Sequence, residues 1–397
     1  MPYRIPYVCT VYLVLLSLGA AFTGLWLDEL HQLVGTYHRS WFELIEWAKA
    51  SPGGTPLNFI AQKISLDLLG FSSLSVRLPA ILFGVASLAL FLRLASGQLM
   101  AAAMFALLPQ VFRYGVEARP YSQGLFFTLL AFLLWQERNR YYILAVIGGL
   151  YSQVFSAFIA AGQALWSRRI VPIAVAAACY LPWFLAQRAT QSVTHTMSNY
   201  SFSWNQVSLL GYIKELSGGG YLCSIPLLIL AAFGRDRMLW LLAAAGLTLP
   251  VVADATLGYF FAGRQLIFAL PFLLLLALEG IKRIPRWASC ALIACMLIAS
   301  LVADFKIATT TREDWATPAH KLAAAGTCIY AWSPEQLQYY RIYEPSLTAC
   351  DPTHLAREFT VVTTRYSPPF NAPTGYELKR AEASGIGQIS VYATLPQ

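Results

Sequence analysis

Long apolar runs, rather than amphipathic stripes, dominate the chain. They predict helices near residues 6–25, 78–96, 98–112, 122–136, 143–166, 170–187, 221–233, 238–257, 265–280 and 287–303. The longer runs match the roughly 20 apolar residues that a helix needs to cross the hydrocarbon core of a bilayer. Between the runs lie short basic stretches: Arg4, Arg93, Arg138 with Arg140, Arg168 with Arg169, Arg235 with Arg237, and Lys282, Arg283 and Arg286. Cytoplasmic loops carry the surplus of Lys and Arg in membrane proteins, so all of these are expected on the cytoplasmic side.

One run conflicts with that assignment. If 143–166 crosses once, the Arg168-Arg169 pair and every later basic cluster fall outside. Two short helices hinged near Tyr151-Ser152-Gln153 return them all to the inside. Each half would be about 12 residues, or roughly 18 Å, and reach only partway through the bilayer. A polar break at that depth is tolerated where it is buried in protein or lines a wet cavity. The expected fold is therefore a polytopic α-helical membrane protein of about eleven helices, two of them short. Its N-terminus is expected inside and its C-terminus outside. Arg4 followed by the apolar run Val8–Gly24 also fits a signal peptide, with Gly19-Ala20-Ala21 as a small-residue cleavage site. The length of the run and the many spans after it favour an uncleaved first helix.

Three outer loops follow. Residues 25–77 form a long first loop whose stretch from Trp41 to Lys49 has helix-like apolar spacing and is expected to lie flat at the interface. The second runs from Arg113 to Tyr121. The third, 188–220, is polar and ends in Gly218-Gly219-Gly220, which reads as mobile. Past residue 303 the chain turns polar. The expected division is a transmembrane domain over 1–303 and a small extracytoplasmic α/β domain over 304–397. In the latter, helices are expected from Glu313-Asp314-Trp315 to Ala325 and over Pro334–Ile342, with strands at Cys328–Trp332, Phe359–Thr364 and Gln388–Thr394.

Composition agrees with lipid as the solvent. Charged residues are 12% of the 397 positions, against about 25% in a soluble globule. The net charge of +8 is accounted for by the basic loops, which excludes nucleic acid as a partner. Cys9, Cys179, Cys223, Cys290 and Cys295 lie in apolar runs and read as small packing residues. Cys328 and Cys350 lie in the polar tail, where an oxidising compartment would permit a disulfide. No C-x-x-C or Cys/His metal spacing is present.

Candidate chemistry gathers at one face. Asp28-Glu29 follows the first helix, and a carboxylate there suits a base that takes the proton of an attacking hydroxyl. The same pair also reads as an acidic cap that solvates a helix end. Arg77, Arg119 and Arg264 sit at the outer rim, against the charge rule. Guanidinium groups there would stabilise a departing phosphate, or else snorkel to headgroups. Glu117 lies two residues before Arg119 and reads as its charge partner or as an acceptor contact. Asp254, near the end of an apolar run, is an intramembrane carboxylate of the kind that marks function. Asp28 with His31 has helical spacing that suits a metal, but no third ligand is spaced to join them. No metal site and no resident cofactor are therefore expected, a divalent ion at Asp28 and His31 being the exception to test.

At these residues the chain resembles the GT-C superfamily of membrane glycosyltransferases, in particular protein O-mannosyltransferases, lipid A aminoarabinose transferases and their bacterial relatives. The resemblance runs in order through Leu27-Asp28-Glu29, Thr55-Pro56-Leu57, Val76-Arg77-Leu78-Pro79 with Gly84, and Glu117-Ala118-Arg119-Pro120-Tyr121. It ends with Gly263-Arg264 before Pro271 and Arg312-Glu313-Asp314-Trp315. It implies an inverting transfer from a polyprenyl- or dolichyl-phosphate sugar, with Asp28 as the catalytic aspartate and Arg119 and Arg264 as phosphate contacts. It also implies paired short helices. Relatives often carry His-Pro-Pro where this chain has Gly54-Thr55-Pro56, and Arg-Tyr where it has Arg264-Gln265, which leaves sugar and acceptor open.

The function expected is thus an inverting glycosyltransferase that moves a sugar from a polyprenyl-phosphate carrier to an acceptor hydroxyl on the outer face of a plasma (inner) membrane. Asp28 and Glu29 are the candidate catalytic residues, and Arg77, Glu117, Arg119, Tyr121 and Arg264 the candidate substrate-binding residues. The partners expected are the lipid-linked donor, a lipid, glycan or protein acceptor, and membrane lipids. A lipid or lipid-linked sugar transporter or flippase is the alternative, but such proteins place charges near the midplane and often repeat a half. A non-catalytic assembly or receptor subunit fits the outer domain and leaves the rim of Asp28, Glu117 and arginines unexplained.

Overall fold

The computed structural model describes residues 4–51, 54–190, 209–257, 262–331, 333–351, 356–364, 370–385 and 387–394. Most of the polar loop 188–220 lies outside them, as does Trp332. The chain divides into two compact units. The first comprises residues 1–21 and 38–309, and the second comprises residues 22–37 and 310–397.

The first unit is helical. Among the described residues four helices are long and apolar enough to cross a membrane: Ile5–Phe22, Ser73–Leu94, Arg237–Thr256 and Arg286–Thr309. Two bent pairs, Leu99–Ala106 with Pro109–Val116 and Leu210–Leu216 with Tyr221–Ala232, bring the number to as many as six. The helix Leu270–Ile281 sits at the centre. Its Leu270, Phe272, Leu273, Leu274, Leu276 and Ala277 are fully buried, as expected of a helix apolar on every side. Close helix approach at the first helix depends on two glycines. A Cβ on Gly115 would meet Leu16 Cδ2 at 2.8 Å, and one on Gly84 would meet Leu16 Cδ1 at 3.2 Å. Small residues admit such contacts between apolar helices.

The run 98–112 is two helices rather than the single one its hydropathy suggests. The chain turns by 64° between Leu99–Ala106 and Pro109–Val116, because Pro109 has no N–H to continue a ladder and its ring clashes with the preceding turn. The run 143–166 is also two helices, Tyr142–Ser152 and Ser156–Ser167. Their break needs partners for the backbone groups it frees, and the chain supplies them. Thr55 Oγ1 donates to the Ser152 carbonyl, and beside the break Tyr151 Oη ties the pair to the neighbouring helix Val171–Thr190 by donating to the Cys179 carbonyl at 2.8 Å. The Gly54 carbonyl in turn accepts from Gln187 Nε2 at 2.8 Å and Trp183 Nε1 at 3.2 Å. The Gly54-Thr55-Pro56 segment is thereby clasped to the broken helix pair. At the end of the loop 188–220, most of which lies outside the described residues, Gly218 and Gly219 serve close packing. Gly218 has φ +74° and brings the chain to within 3.1 Å, measured from an added Cβ, of the Gln110 backbone nitrogen. The Gln110 N–H donates to the Ser217 carbonyl at 2.8 Å.

The second unit carries a four-stranded sheet: β1 Cys328–Ala331, β2 Glu358–Thr364, β3 Tyr376–Ser384 and β4 Gly387–Thr394. The strand order is β1-β2-β4-β3. β1 runs parallel to β2, and the other pairs are antiparallel, with Phe359 opposite Tyr392 and Leu378 opposite Tyr392 on the far side. The Phe359 and Tyr392 rings stack at 5.7 Å, and Phe359 meets Tyr376 at 5.1 Å. A disulfide joins Cys328 to Cys350 beside this aromatic cluster. β3 has no alternation of apolar and polar positions. All but its ends and Glu382 are exposed, and a strand at a charged sheet edge carries no such pattern. Helices Leu27–Val34, Ala316–Ala325 and Pro334–Arg341 complete the unit. Ser333 Oγ caps the last by accepting from the Gln336 N–H at 3.2 Å.

Candidate functional site

Asp28 and Glu29 stand side by side at the start of Leu27–Val34, and the fold treats them differently. Glu29 is fully buried. Its carboxylate reaches back to accept from the Trp26 N–H at 3.3 Å, the reciprocal half of a capping box. Glu313 supplies a second cap, accepting from the Leu27 N–H at 2.7 Å and from Trp315 Nε1 at 3.0 Å. Two carboxylates thus meet the positive end of this helix, where negative charge is favoured. Asp28, by contrast, is half-buried.

A turn further on, His31 joins the same surroundings. Tyr339 Oη donates to Glu335 Oε2 at 3.5 Å, which leaves the phenol oxygen to accept from His31 Nδ1 at 3.3 Å. Burial pushes the Tyr339 phenol above its ordinary value, and the negative charges of Glu335 and Asp28 push it further. Tyr339 packs edge-on against Trp315, with ring centroids 5.5 Å apart. The Arg312 guanidinium lies 3.6 Å from the centroid of the Trp26 ring. The Arg312-Glu313-Asp314-Trp315 motif is therefore a support built around the helix that carries Asp28. Among the described residues no group of three or more His, Cys, Asp or Glu side chains is placed to hold a metal ion.

The remaining candidates belong to the first unit. Arg264 opens the short 3-10 segment Gly263–Phe268. Its guanidinium lies 5.8 Å from the centroid of the Tyr121 ring, within cation–π range. Tyr121 in turn stands 4.5 Å from the ring of Tyr114. Gln110 Nε2 donates to the Gly263 carbonyl at 2.7 Å, fixing the peptide just before Arg264. Glu117 is buried at the end of Pro109–Val116, and Arg119 follows half-buried. Arg77 is placed otherwise. It is 2% exposed, and its Nη1 donates to the Ala20 carbonyl at 2.8 Å, near the end of the first helix, where a cation offsets the unpaired carbonyls.

The geometry thus brings Arg264 and Tyr121 together and ties Gln110 to the Gly263 carbonyl, while Arg77 and Glu29 are buried and each hydrogen-bonded to the main chain. Sequence reasoning missed Gln110, Tyr114, Tyr339 and the capping by Glu313. The spacing Gln110, Tyr114, Glu117 was there to be found, since residues three and four apart share a helix face.

No protein-family model matches the chain, and no curated protein matches it significantly. Two solved structures share its fold over 99% of both chains. One is ArnT from Cupriavidus metallidurans in the apo state, with a TM-score of 0.64 and 13% sequence identity. The other is ArnT from Cupriavidus metallidurans bound to undecaprenyl phosphate, with a TM-score of 0.58 and 11% identity. The chain thus shares in outline the fold of these ArnT structures, mostly helical with a small C-terminal sheet.

Proposed function

We propose that this protein is an inverting glycosyltransferase that moves a sugar from a polyprenyl-phosphate carrier to an acceptor hydroxyl at the non-cytoplasmic face of a plasma (inner) membrane. The observation that carries the reading is likeness of fold along the whole chain to an ArnT structure that holds undecaprenyl phosphate. Arg264 and Tyr121, held as described, suit the phosphate end of such a lipid. The Cys328–Cys350 disulfide supports a non-cytoplasmic second unit, since cytosolic thiols are kept reduced. With the basic loops inside, the N-terminus is then cytoplasmic.

Asp28 takes the proton of the acceptor hydroxyl as its oxygen forms a bond to the anomeric carbon. The bond from that carbon to the phosphate oxygen breaks, and the lipid phosphate leaves with the electron pair. Single displacement inverts the anomeric centre. Arg119 and Arg264 stabilise the charge that builds on the leaving phosphate. Glu117 serves as the charge partner of Arg119 or as an acceptor contact, Arg77 fixes the first helix, and Glu29 holds the helix of Asp28.

The test is purified protein in nanodiscs with a panel of polyprenyl-phosphate sugars and a membrane extract, with free polyprenyl phosphate followed by mass spectrometry. Release from one donor that is lost in Asp28→Asn is the expected result. No release from any donor, together with movement of labelled lipid between leaflets, would replace this reading with a flippase.

A further inference from the structure

The helix Pro109–Val116 and its C-cap carry Gln110, Arg113, Tyr114 and Glu117. Their spacings of three, four and seven put all four on one face. Another face, with Phe112 and Val116, packs on the first helix, where a Cβ on Gly19 would touch them at 3.4 and 3.1 Å. Two of the four show where the polar face is directed. Gln110 donates to the Gly263 carbonyl, and Tyr114 meets Tyr121, over which Arg264 lies. Arg113 belongs to that face.

Arg113 is half-buried. Among the described residues no hydrogen bond or ion pair holds its guanidinium, whereas Arg77 is spent on the Ala20 carbonyl and Arg93 on Glu137. The donors of the Arg113 planar fork match a phosphate.

We propose that Arg113 is a further phosphate-binding residue of the lipid-carrier site, acting on the same anion as Arg264. The proposal rests on the lipid-carrier reading above, and its test separates the two. Binding of undecaprenyl phosphate and of uncharged undecaprenol is measured on the full-length protein in nanodiscs, for the wild type, Arg113→Gln, Arg113→Lys and Arg264→Gln. Arg113→Gln is expected to weaken undecaprenyl phosphate by at least about tenfold and leave undecaprenol unchanged, and Arg113→Lys to retain most of the affinity. If Arg113→Gln binds the phosphate like wild type while Arg264→Gln does not, this inference is overturned and the lipid-carrier reading stands. If the wild type does not prefer the phosphate to the alcohol, both fall. If Arg113→Gln loses both lipids, Arg113→Lys decides: phosphate affinity kept supports the contact, and loss of both lipids there as well overturns it.

Discussion

The backbone N–H of Leu27 donates to Glu313 Oε2 at 2.7 Å, although 286 positions separate the two residues. The same oxygen accepts from Trp315 Nε1 at 3.0 Å, and Glu313 is almost wholly buried. One carboxylate therefore ends the helix that bears Asp28 and ties it to the segment beginning the polar tail. Glu313→Ala should destabilise the second unit by about 2 kcal/mol, because one buried and one partly buried donor lose a charged acceptor. Glu313→Gln keeps an acceptor and should cost less. Thermal unfolding of the two variants reads this directly. A Glu313→Ala protein that melts like wild type would remove the capping role.

The disulfide between Cys328 and Cys350 closes a loop with a sequence separation of 22. On the chain-entropy account such a loop is worth about 3 kcal/mol. Reduction, or Cys328→Ser, should lower the melting temperature of the second unit accordingly. Mass spectrometry after alkylation of the denatured, unreduced protein should find the other cysteines labelled and this pair unlabelled until reductant is added. Labelling of Cys328 in freshly isolated membranes would count against an oxidising location.

Stability at high pH follows from two tyrosines. Burial raises the phenols of Tyr339 and Tyr340 above their ordinary value, with Glu335 and Asp28 adding to the effect at Tyr339. A raised folded value means that the native state keeps these protons after the unfolded chain has lost them. Their stabilisation is complete below about pH 10, the ordinary tyrosine value, and declines as pH rises beyond it. Melting curves across that range should show the loss, and Tyr339→Phe with Tyr340→Phe should blunt it. Asp28→Asn should let Tyr339 ionise at lower pH in an absorbance titration, since one opposing charge is gone.

Much of the helical layout was legible because long apolar runs have few alternatives in lipid, and because charge signs constrain how many times the chain turns. The broken pair around Gln153 came from that constraint, not from its hydropathy. The bend at Pro109 was overlooked for the opposite reason: Leu107-Leu108 is apolar, so a window of hydropathy passes over it. Ending the helix at residue 112 also hid the shared face of Gln110, Arg113, Tyr114 and Glu117. Strand β3 was illegible, since exposed residues such as Leu378, Lys379 and Arg380 carry no alternation. Burial is what separates Glu29 from Asp28 and Arg77 from Arg264, and neighbouring or like residues in a sequence do not announce it.

That separation gives the sharpest prediction. Asp28 and Glu29 are adjacent carboxylates on one helix, but only Glu29 is buried and engaged with the Trp26 N–H. Replacing Glu29 by Gln exchanges a charged acceptor at a helix N-terminus for a neutral one and should cost about 1 kcal/mol or more, with turnover retained at temperatures where the protein stays folded. Replacing Asp28 by Asn preserves shape and removes a base, so melting should hardly change while turnover falls by about a hundredfold or more. Melting temperature and initial rate measured on the same preparations distinguish the two. The reverse pattern, with Glu29→Gln inactive but stable and Asp28→Asn active, would transfer the role of base to Glu29 and require the cap to open during turnover.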